Sequence, residues 1–464
     1  EMCIRDSSTF AYFPGIPIMH SKDLAHWEQI GNACDRESQL PLGDTGHSRG
    51  LFAPTIRYHE GTFYIICTNV SYGGNFIITA QNPAGPWSEP HYIEGADGID
   101  PSLFFDEDGT CYYIGTHPNP AGCQYDGDWY IWIQELDIEN MKLVGEVHNV
   151  WNGAMRNIIW PEGPHLYKIG EYYYIMHAEG GTGPDHAVTV CRSKNVYGPY
   201  ENNFCNPILT HRHLGRKYPI CYVGHADLVK TINDEWYMVM LAVRPLEGYT
   251  TMGRETFLAR VEWENDWPVV NPGVGRLTDT VEINLPKWTA YTAESNEYVF
   301  STMGQLPPEF MVLRNADKSH YSLEKGKGLL MLFDTHTLKE QASPSYLALR
   351  QKHHHFMAKA LLDVSNLSED KRAGIAYVQN NLYNLRVEVN GKMAEVILCE
   401  KGTDRRVISM PLQGSNPLEV SLEVDGLSAA VIIEGQKSPE VDIRTLSTEA
   451  AGGFTGCTCL LYTS

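Results

Sequence analysis

A hairpin-like unit recurs four times in the first half of the sequence, and it limits the fold more than any other feature. Each copy has a first strand, a tight polar turn and a second strand that is rich in aromatic residues. Two short runs of this kind, joined by such a turn, are typical of an antiparallel β-hairpin. The first strands begin at Ala53, Asp100, Glu162 and His225, and the turns lie at residues 61, 109, 170 and 234.

A second unit, a strand followed by a small polar cluster, comes after each hairpin. The hairpin turns are 48, 61 and 64 residues apart, and a period of roughly 40–60 residues with about four strands per unit predicts the blades of a β-propeller. One further second unit occupies residues 16–27, so five second units accompany four hairpins. We therefore predict an all-β protein with a five-bladed β-propeller over residues 7–278, whose first blade has its opening hairpin upstream of residue 1.

The repeat stops near Asp279, and short alternating strands separated by Gly, Asn and Asp turns follow it. This pattern predicts a β-sandwich of the concanavalin-like or jelly-roll type over residues 279–458. Residues 1–6 and 459–464 continue neither pattern, and we expect them to be foreign tails that lie outside the fold.

Charge excludes several classes of partner. The chain has 36 basic and 57 acidic residues and a formal net charge of −21, so phosphate backbones and anionic lipid surfaces are repelled. No apolar run approaches the ~18 residues that a membrane-spanning helix needs. The eleven cysteines include no C-x-x-C pair, which fits neither a disulfide framework nor a zinc site. We expect no nucleic-acid partner and no membrane partner.

Two acidic residues occupy equivalent positions in neighbouring copies of the repeat. The innermost strands of a propeller line its central channel, so Ala53, Asp100, Glu162 and His225 are predicted to surround one funnel. Hydrolysis of a glycosidic bond needs a protonated acid and an ionised carboxylate, and a nearby carboxylate raises the pKa of the acid. The pattern favours a glycosidase, although an Asp-Pro pair alone would also fit an ordinary turn.

Several motifs occur in the order found in glycoside hydrolase family 43, and the sequence resembles that family over roughly residues 8–456. The resemblance is best to its two-domain β-xylosidases and α-L-arabinofuranosidases, and it implies a five-bladed propeller, a β-sandwich and an inverting single displacement. The matching motifs are Phe13-Pro14-Gly15, His20-Ser21-Lys22-Asp23-Leu24, Asp100-Pro101-Ser102-Leu103-Phe104, Glu162-Gly163-Pro164-His165-Leu166-Tyr167-Lys168, Ala178-Glu179-Gly180-Gly181-Thr182, Gly224-His225-Ala226-Asp227, Gly253-Arg254-Glu255-Thr256 and Gly452-Gly453-Phe454-Thr455-Gly456.

The resemblance implies a role for each charged residue of the funnel. Glu162 would be the general acid, Asp100 would orient it and raise its pKa, and Arg254 would bind substrate hydroxyls, although Arg254 would also fit a surface ion pair. The family's general base is an Asp in the opening hairpin of the first blade, a segment that this sequence does not contain. A general base contributes ~10²–10⁴-fold, so we expect this chain to be nearly inactive and a full-length protein to be active.

Further substrate contacts are also implied by the resemblance. Phe10 and Phe52 would form an apolar wall of the sugar pocket and Phe454 would close it, although each would equally suit ordinary packing. The remaining residues expected to contact substrate are Ala53, Thr182 and His225. His225 is either a buried histidine satisfied by backbone groups or a ligand of a divalent ion. No cofactor is required, and a structural calcium ion at the propeller axis is the option that the resemblance allows.

We expect an exo-acting inverting glycosidase that releases terminal β-D-xylose or α-L-arabinofuranose from plant-wall oligosaccharides. The alternatives are a catalytically dead sugar-binding propeller and a scaffold for protein partners. Retention of Asp100 and Glu162 argues against the first, and the irregular spacing of the repeat argues against the second. A choice between the two sugars stays open, because similar pockets discriminate only ~10–200-fold. A homo-oligomer also stays open, and the cysteine usage favours the cytoplasm or periplasm.

Overall fold

The computed structural model describes residues 3–5, 7–292 and 296–464. Antiparallel strands account for nearly all of the regular structure, which confirms the prediction of an all-β fold. Within those ranges, no helix is long and apolar enough to cross a membrane. The helical segments are short and comprise four 3₁₀ turns and helix α1, at Arg212–Leu214, Phe300–Thr302, Lys318–His320, Arg444–Leu446 and Thr448–Ala451 (α1).

The N-terminal part consists of a three-stranded sheet followed by four larger sheets. The first segment contains β1 (Cys3–Arg5), β2 (Tyr12–Phe13), β3 (Gly15–Ser21) and β4 (Glu28–Cys34). Strands β1, β3 and β4 pair in that order and form the three-stranded sheet. Strand β2 belongs to a different sheet in the C-terminal part of the chain.

Each of the four larger sheets is a meander of consecutive strands, and its first two strands are one of the hairpins predicted from the repeat. In the sheet that begins with Glu162, one extra strand, at Leu209–Thr210, pairs with the third strand of the meander. The strands are β5 (Thr55–His59), β6 (Thr62–Asn69), β7 (Gly74–Ala80), β8 (His91–Tyr92); β9 (Ile99–Phe105), β10 (Cys111–Pro118), β11 (Trp129–Asp137), β12 (Lys142–Trp151); β13 (Glu162–Ile169), β14 (Tyr172–Glu179), β15 (Ala187–Ser193), β16 (Glu201–Asn202), β17 (Leu209–Thr210); β18 (Cys221–Lys230), β19 (Trp236–Val243), β20 (Glu255–Glu264) and β21 (Trp267–Val270).

These sheets pack face to face, and apolar side chains fill the spaces between them. Ile66, Leu103 and Trp132 lie in one such layer, and Ile114 and Ile175 lie in the next. Successive side chains of a strand point to opposite faces of its sheet. Because each sheet has neighbours on both faces, apolar residues are needed on both sides. The first strands β5, β9, β13 and β18 pack side by side, so residues at matching positions along them come close together.

The C-terminal part is built from two main sheets and one separate hairpin. Its strands are β22 (Met311–Leu313), β23 (Tyr321–Glu324), β24 (Gly328–Met331), β25 (Tyr346–Arg350), β26 (His355–Leu362), β27 (Ala373–Asn380), β28 (Tyr383–Val389), β29 (Met393–Glu400), β30 (Thr403–Pro411), β31 (Leu418–Asp425), β32 (Ser428–Ile433), β33 (Gln436–Lys437), β34 (Val441–Asp442) and β35 (Thr458–Thr463).

The larger of the two main sheets has the order β2-β22-β25-β35-β27-β28-β29-β30, and the smaller has the order β26-β31-β32-β33 with β34 beside β32. Strands β23 and β24 form the separate hairpin. The core between the main sheets contains Leu385, Val387, Val396, Val420 and Val431, which are all buried. Alternation along β28, β29, β31 and β32 directs these residues inward.

Two details correct the predicted domain limits. Strand β2 pairs Tyr12 with Leu313, so the N-terminal segment contributes an edge strand to the C-terminal sheet. Strand β35 lies between β25 and β27, so the sheet continues past the limit predicted at residue 458. Residues 459–463 therefore belong to the fold, since they supply a central strand in which Tyr462 is buried.

The remaining predictions about the ends of the domains are not tested by the fold. Residues 3–5 form β1, whereas positions 1, 2 and 6 of the expected N-terminal tail lie outside the described residues. The foreign origin of both ends stays a prediction. The expected domain boundary at residues 278–279 falls in the segment between β21 and β22, and it also stays a prediction.

Candidate active site

Four residues that lie in or just before the first strands β5, β9, β13 and β18 meet beside a cleft between the two parts of the chain. Ala53 and His225 line this cleft together with Arg254, Phe10 and Phe454. Asp100 and Glu162 lie next to Arg254, and their charges act on its guanidinium. We call Ala53, Asp100, Glu162 and His225 the pocket layer.

Asp100 is buried near the start of β9, with 7% of its surface exposed. Its carboxylate accepts a hydrogen bond from the backbone N–H of Gly163. Burial raises the pKa of Asp100 to about 6, although the charge of Arg254 and the Gly163 hydrogen bond act in the opposite direction. Desolvation therefore outweighs the attractive partners at this carboxylate.

Glu162 is the first residue of β13, and its pKa is raised further than that of Asp100. Burial and the negative charge of Asp100 raise the pKa of Glu162 to about 8, against the effects of Arg254 and a hydrogen bond from Thr182. The two carboxyl groups share one guanidinium, so a single proton between them relieves the excess negative charge. Glu162 therefore holds a proton at neutral pH.

His225 packs directly on the backbone that follows Glu162. A Cβ at Gly163 would lie 2.8–2.9 Å from three atoms of the His225 ring, and Gly163 has φ +57°. Both the contact and the left-handed backbone require glycine at this position. Burial, with the added effect of Arg254, lowers the pKa of His225 to about 4, so the imidazole is neutral at physiological pH.

Arg254 lies beside two aromatic rings. Its guanidinium lies 5.2 Å from the ring centroid of Phe10 and 5.4 Å from that of Phe454. The rings of Phe10, Phe52 and Phe454 form a cluster with centroid separations of 5.9–6.3 Å. The cluster is an apolar surface beside a cation and two carboxyl groups, and the face of one of its rings can pack on the C–H face of a sugar.

Phe454 belongs to the C-terminal part of the chain and is held against the N-terminal part by backbone contacts. Its N–H donates a hydrogen bond to Ser48 Oγ at 2.9 Å. Gly456, two residues further on, packs closely on Gly253. A Cβ at position 253 would lie 2.3 Å from the Gly456 nitrogen. The loop is therefore seated beside Arg254, while the Phe454 side chain stays 40% exposed at the rim.

Three residues of the site have left-handed backbone conformations that non-glycine residues seldom adopt. The φ angles are +53° at Phe10, +52° at Asp100 and +51° at His225. Strained backbone of this kind costs roughly 1–3 kcal/mol per residue, and it clusters at functional sites. The surrounding sheets hold these three side chains in place at that cost.

A second polar group lies further along the same first strands, and sequence reasoning did not identify it. We call Arg57, Ser102, His165 and Asp227 the ion-pair layer. Arg57 Nη1 donates to Asp227 Oδ2 at 2.8 Å, and Arg57 Nη2 donates to His165 Nδ1 at 2.9 Å. The Ser102 hydroxyl lies 3.2 Å from His165 Nδ1. The repeat contained the signal, because each first strand has a polar residue two to four positions after its pocket-layer residue.

The carboxyl group of the ion-pair layer has a different ionisation state from the acid of the pocket layer. Burial alone would raise the pKa of Asp227, but Arg57, His165 and a hydrogen bond from the Tyr167 hydroxyl hold it well below its usual range. Burial lowers the pKa of His165 to about 3. Asp227 is therefore a fixed carboxylate and His165 a neutral hydrogen-bonding group.

The residues around His225 do not fit the metal ion that the family resemblance allows. Across the described ranges, no group of three or more His, Cys, Asp and Glu side chains is arranged to hold a metal ion. His225 instead packs on Gly163 and lies within the electrostatic influence of Arg254, which disfavours a second cation.

Comparison with known proteins identifies the family. The family model described as glycosyl hydrolases family 43 matches residues 6–268. The chain belongs to glycoside hydrolase family 43. A second model, described as the β-xylosidase C-terminal concanavalin A-like domain, matches residues 298–464 of this family 43 protein.

Relatives of this family 43 chain carry enzyme names. A xylosidase/arabinosidase of Butyrivibrio fibrisolvens is 50% identical over 98% of this chain and 90% of its own length. A non-reducing end α-L-arabinofuranosidase of Bacteroides ovatus is 37% identical over 99% of this chain and 86% of its own. The crystal structure of a xylan β-1,4-xylosidase from Bacillus halodurans superposes with a TM-score of 0.91 at 32% identity, covering 100% and 92% of the two chains. These names give no support to a catalytically dead sugar-binding protein.

Proposed function

We propose that this family 43 chain is an exo-acting, inverting glycosidase that releases terminal β-D-xylose or α-L-arabinofuranose from plant-wall oligosaccharides. The observation that carries the proposal is a pair of carboxyl groups, the buried Asp100 and the half-buried Glu162, that share Arg254 beside a wall of three phenylalanines. We also propose that the four larger sheets and the three-stranded sheet are the five blades of a β-propeller, with the C-terminal β-sandwich docked at one end.

Glu162 is the general acid in this proposal. Cleavage of the glycosidic bond makes the leaving oxygen basic, and a carboxyl group that stays protonated at neutral pH can donate to it. Asp100 keeps the proton on Glu162 through its negative charge. Thr182 orients the acid, because its side chain hydrogen-bonds the Glu162 carboxyl.

Arg254 and the phenylalanine cluster bind the sugar. The guanidinium presents several N–H donors to sugar hydroxyls while it stays beside the rings of Phe10 and Phe454. Ala53 and His225 line the remaining wall. Phe454, held by its N–H to Ser48, closes one side of the pocket, and this closure favours attack on a chain end over the interior of a polymer.

The two sugars are both retained in the proposal because the relatives' names include both activities. Parallel assays with aryl β-D-xyloside and aryl α-L-arabinofuranoside give the ratio of kcat/KM for the two sugars. Proton NMR of the first-formed product reports whether the anomeric configuration inverts. These assays use a full-length protein that includes the expected general base. Release of neither sugar by that protein, or release with retention, would show that the proposed reaction is wrong.

A further inference from the structure

A group of basic side chains lies on the Glu162 side of the pocket, in a chain that is otherwise strongly acidic. Four of its members occur in the segment that joins β17 to β18, and the fifth lies in the segment that joins β12 to β13. The second segment ends at Glu162, and the first leads into the strand that carries His225. We call this group the basic rim, and its members are Arg156, Arg212, His213, Arg216 and Lys217.

The two segments of the basic rim contact each other beside the acid. Arg212 Nη2 lies 3.2 Å from Met155 Sδ. The neighbouring N–H of Ala154 donates to the buried carboxylate of Glu179 at 2.9 Å, which fixes this segment on β14. Arg212 and Arg156 are thereby brought to the same wall as Glu162.

Thr182 and Trp160 connect this wall with the catalytic acid. Thr182 hydrogen-bonds Glu162, and the preceding residue, Gly181, is covered by Trp160, since a Cβ there would lie 2.5 Å from the indole ring. The indole remains half-buried. Glu162, Thr182 and Trp160 therefore follow one another along one side of the pocket, and Trp160 lies in the same segment as Arg156.

The basic rim extends towards the loop that closes the pocket. The Arg216 guanidinium is close enough to Tyr222 to lower the pKa of that phenol slightly against the stronger, opposite effect of burial. Glu449, on helix α1 beside the Phe454 loop, also acts on Tyr222, and it accepts hydrogen bonds from Thr250. Arg216 is thus placed between the acid side of the pocket and the C-terminal loop.

The cations of the basic rim have no carboxylate partner. Within the part of the chain that the structure describes, none of the five forms an ion pair at 4.0 Å or less, whereas many other surface cations do. Arg156, His213, Arg216 and Lys217 are exposed. A group of like charges without carboxylate partners creates a positive potential that attracts an anion.

A general acid lies on the side of the leaving group, because it protonates the leaving oxygen. The part of the substrate that reaches the basic rim is therefore the oligosaccharide that departs. We propose that the basic rim is a leaving-group subsite for a carboxylated sugar, namely a uronic acid attached to the oligosaccharide next to the scissile bond. The proposal rests on the proposed function and names a substrate class for that same pocket.

The expected effect is moderate and depends on salt. Each exposed charge pair contributes little by itself, but three or four cations on one rim attract an anion together. We expect the enzyme to prefer a uronate-bearing oligosaccharide over its neutral counterpart by roughly 3–30-fold in kcat/KM at low ionic strength. At about 0.5 M salt the preference should nearly disappear, because the Debye length falls to a few ångströms.

The test compares two substrates that differ in one group. The first substrate is a glucuronate-bearing oligosaccharide with a terminal xylose or arabinofuranose. The second is the same compound after reduction of its carboxyl group to a primary alcohol, and kcat/KM is measured for both. The variant Arg212→Ala/Arg216→Ala/Lys217→Ala should lose the preference and keep its activity on a neutral aryl glycoside. A matched control of equal charge, Lys142→Ala/Lys325→Ala/Lys401→Ala, removes exposed cations elsewhere and should keep the preference.

Calorimetry with a Glu162→Gln variant gives a second readout that needs no turnover. It should bind the uronate compound more tightly than the neutral one, and addition of the three rim substitutions should remove the difference. No preference in either experiment, or a preference that survives the triple substitution, would overturn the proposed subsite. Failure to cleave the neutral aryl glycoside would instead contradict the proposed function, so the two failures are distinguishable.

Discussion

The pocket layer and the ion-pair layer are carried by the same first strands, yet their carboxyl groups have opposite ionisation states. In the pocket layer, two carboxyl groups share one guanidinium, and burial raises the pKa of Asp100 to about 6 and that of Glu162 to about 8. In the ion-pair layer, Asp227 alone has Arg57 at 2.8 Å, with His165 and Tyr167 beside it, and its pKa stays well below the usual range. The two layers differ in the number of partners more than in burial.

This difference indicates what each layer does. A carboxylate with a full set of donors is stable and unreactive, whereas a carboxyl group that lacks them holds a proton it can give away. The pocket layer is also where the backbone of Asp100 and His225 is left-handed. The ion-pair layer joins β5, β9, β13 and β18 directly beneath it, so it can hold these strands in the strained arrangement.

Removal of the acid should have the largest effect. Glu162→Gln keeps the shape of the side chain and removes its proton, so kcat on oligosaccharides should fall by ~10²–10⁴-fold. An aryl glycoside with a very acidic leaving group needs little protonation and should lose far less. Steady-state kinetics on the two substrate types measure the difference.

The matched control is Glu171→Gln, an exposed carboxylate on the turn of the same sheet that pairs with Lys194 at 2.9 Å. It should leave both activities unchanged. An equal loss on both substrate types in Glu162→Gln would mean that Glu162 supports the structure of the pocket and is not the acid.

Loss of the fixed carboxylate should act on stability. Asp227→Asn leaves Arg57 without its ionic partner, and removal of one member of a fully buried pair costs about 3–5 kcal/mol. Asp227 is 28% exposed, so we expect roughly 1–3 kcal/mol, measured by chemical denaturation. Asp234→Asn, an exposed residue at the turn of the same hairpin that pairs with Lys230, is the control and should change little. Equal stability of the two variants would contradict the structural role of the ion-pair layer.

Sequence reasoning reached the pocket layer because the repeat placed Asp100 and Glu162 at equivalent strand positions. It did not reach the ion-pair layer, because Arg57, Ser102, His165 and Asp227 stand at unequal distances from the pocket residues. The register shift between Glu162 and His165 explains part of this irregularity. A bulge changes which side chains share a face, and it cannot be read from spacing alone.

The same limit applies to the domain edges. Strands β2 and β35 are short and pair with strands that are far away in sequence, as Tyr12 does with Leu313 and Tyr462 does with Tyr346. Local patterns predict hairpins, whose partners are adjacent in sequence, but not such long-range pairings. For that reason the sandwich was recognised while two strands of its larger sheet were not.

Asp100→Asn should shift the pH dependence of the reaction. The negative charge of Asp100 is one of the two causes that raise the pKa of Glu162, so its removal should move the alkaline fall in kcat/KM to lower pH. Wild-type activity should fall above about pH 8, where Glu162 loses its proton. A pH profile on an oligosaccharide substrate measures the shift, with the exposed Asp108→Asn as control. An unchanged alkaline limb would show that Asp100 does not act on the acid.

The smallest effect, and the sharpest contrast between the layers, is the sign of the stability change with pH. Glu162 has a raised pKa in the folded state, so its carboxyl group stabilises the fold fully below about pH 4, and this contribution is lost as the pH rises towards 8. Glu162→Gln does not titrate. The stability of this variant should therefore match that of the wild type near pH 4 and exceed it at pH 8, by a few degrees in Tm for roughly 1 kcal/mol or more.

Asp227 has a depressed pKa, so its contribution to stability is present above about pH 4 and lost below it. Asp227→Asn should be less stable than wild type at pH 8 and approach it only in acid. Thermal melts of both variants at pH 4 and pH 8 measure these changes. A change of stability in the same direction for both variants at pH 8 would contradict the proposed difference between the pocket layer and the ion-pair layer.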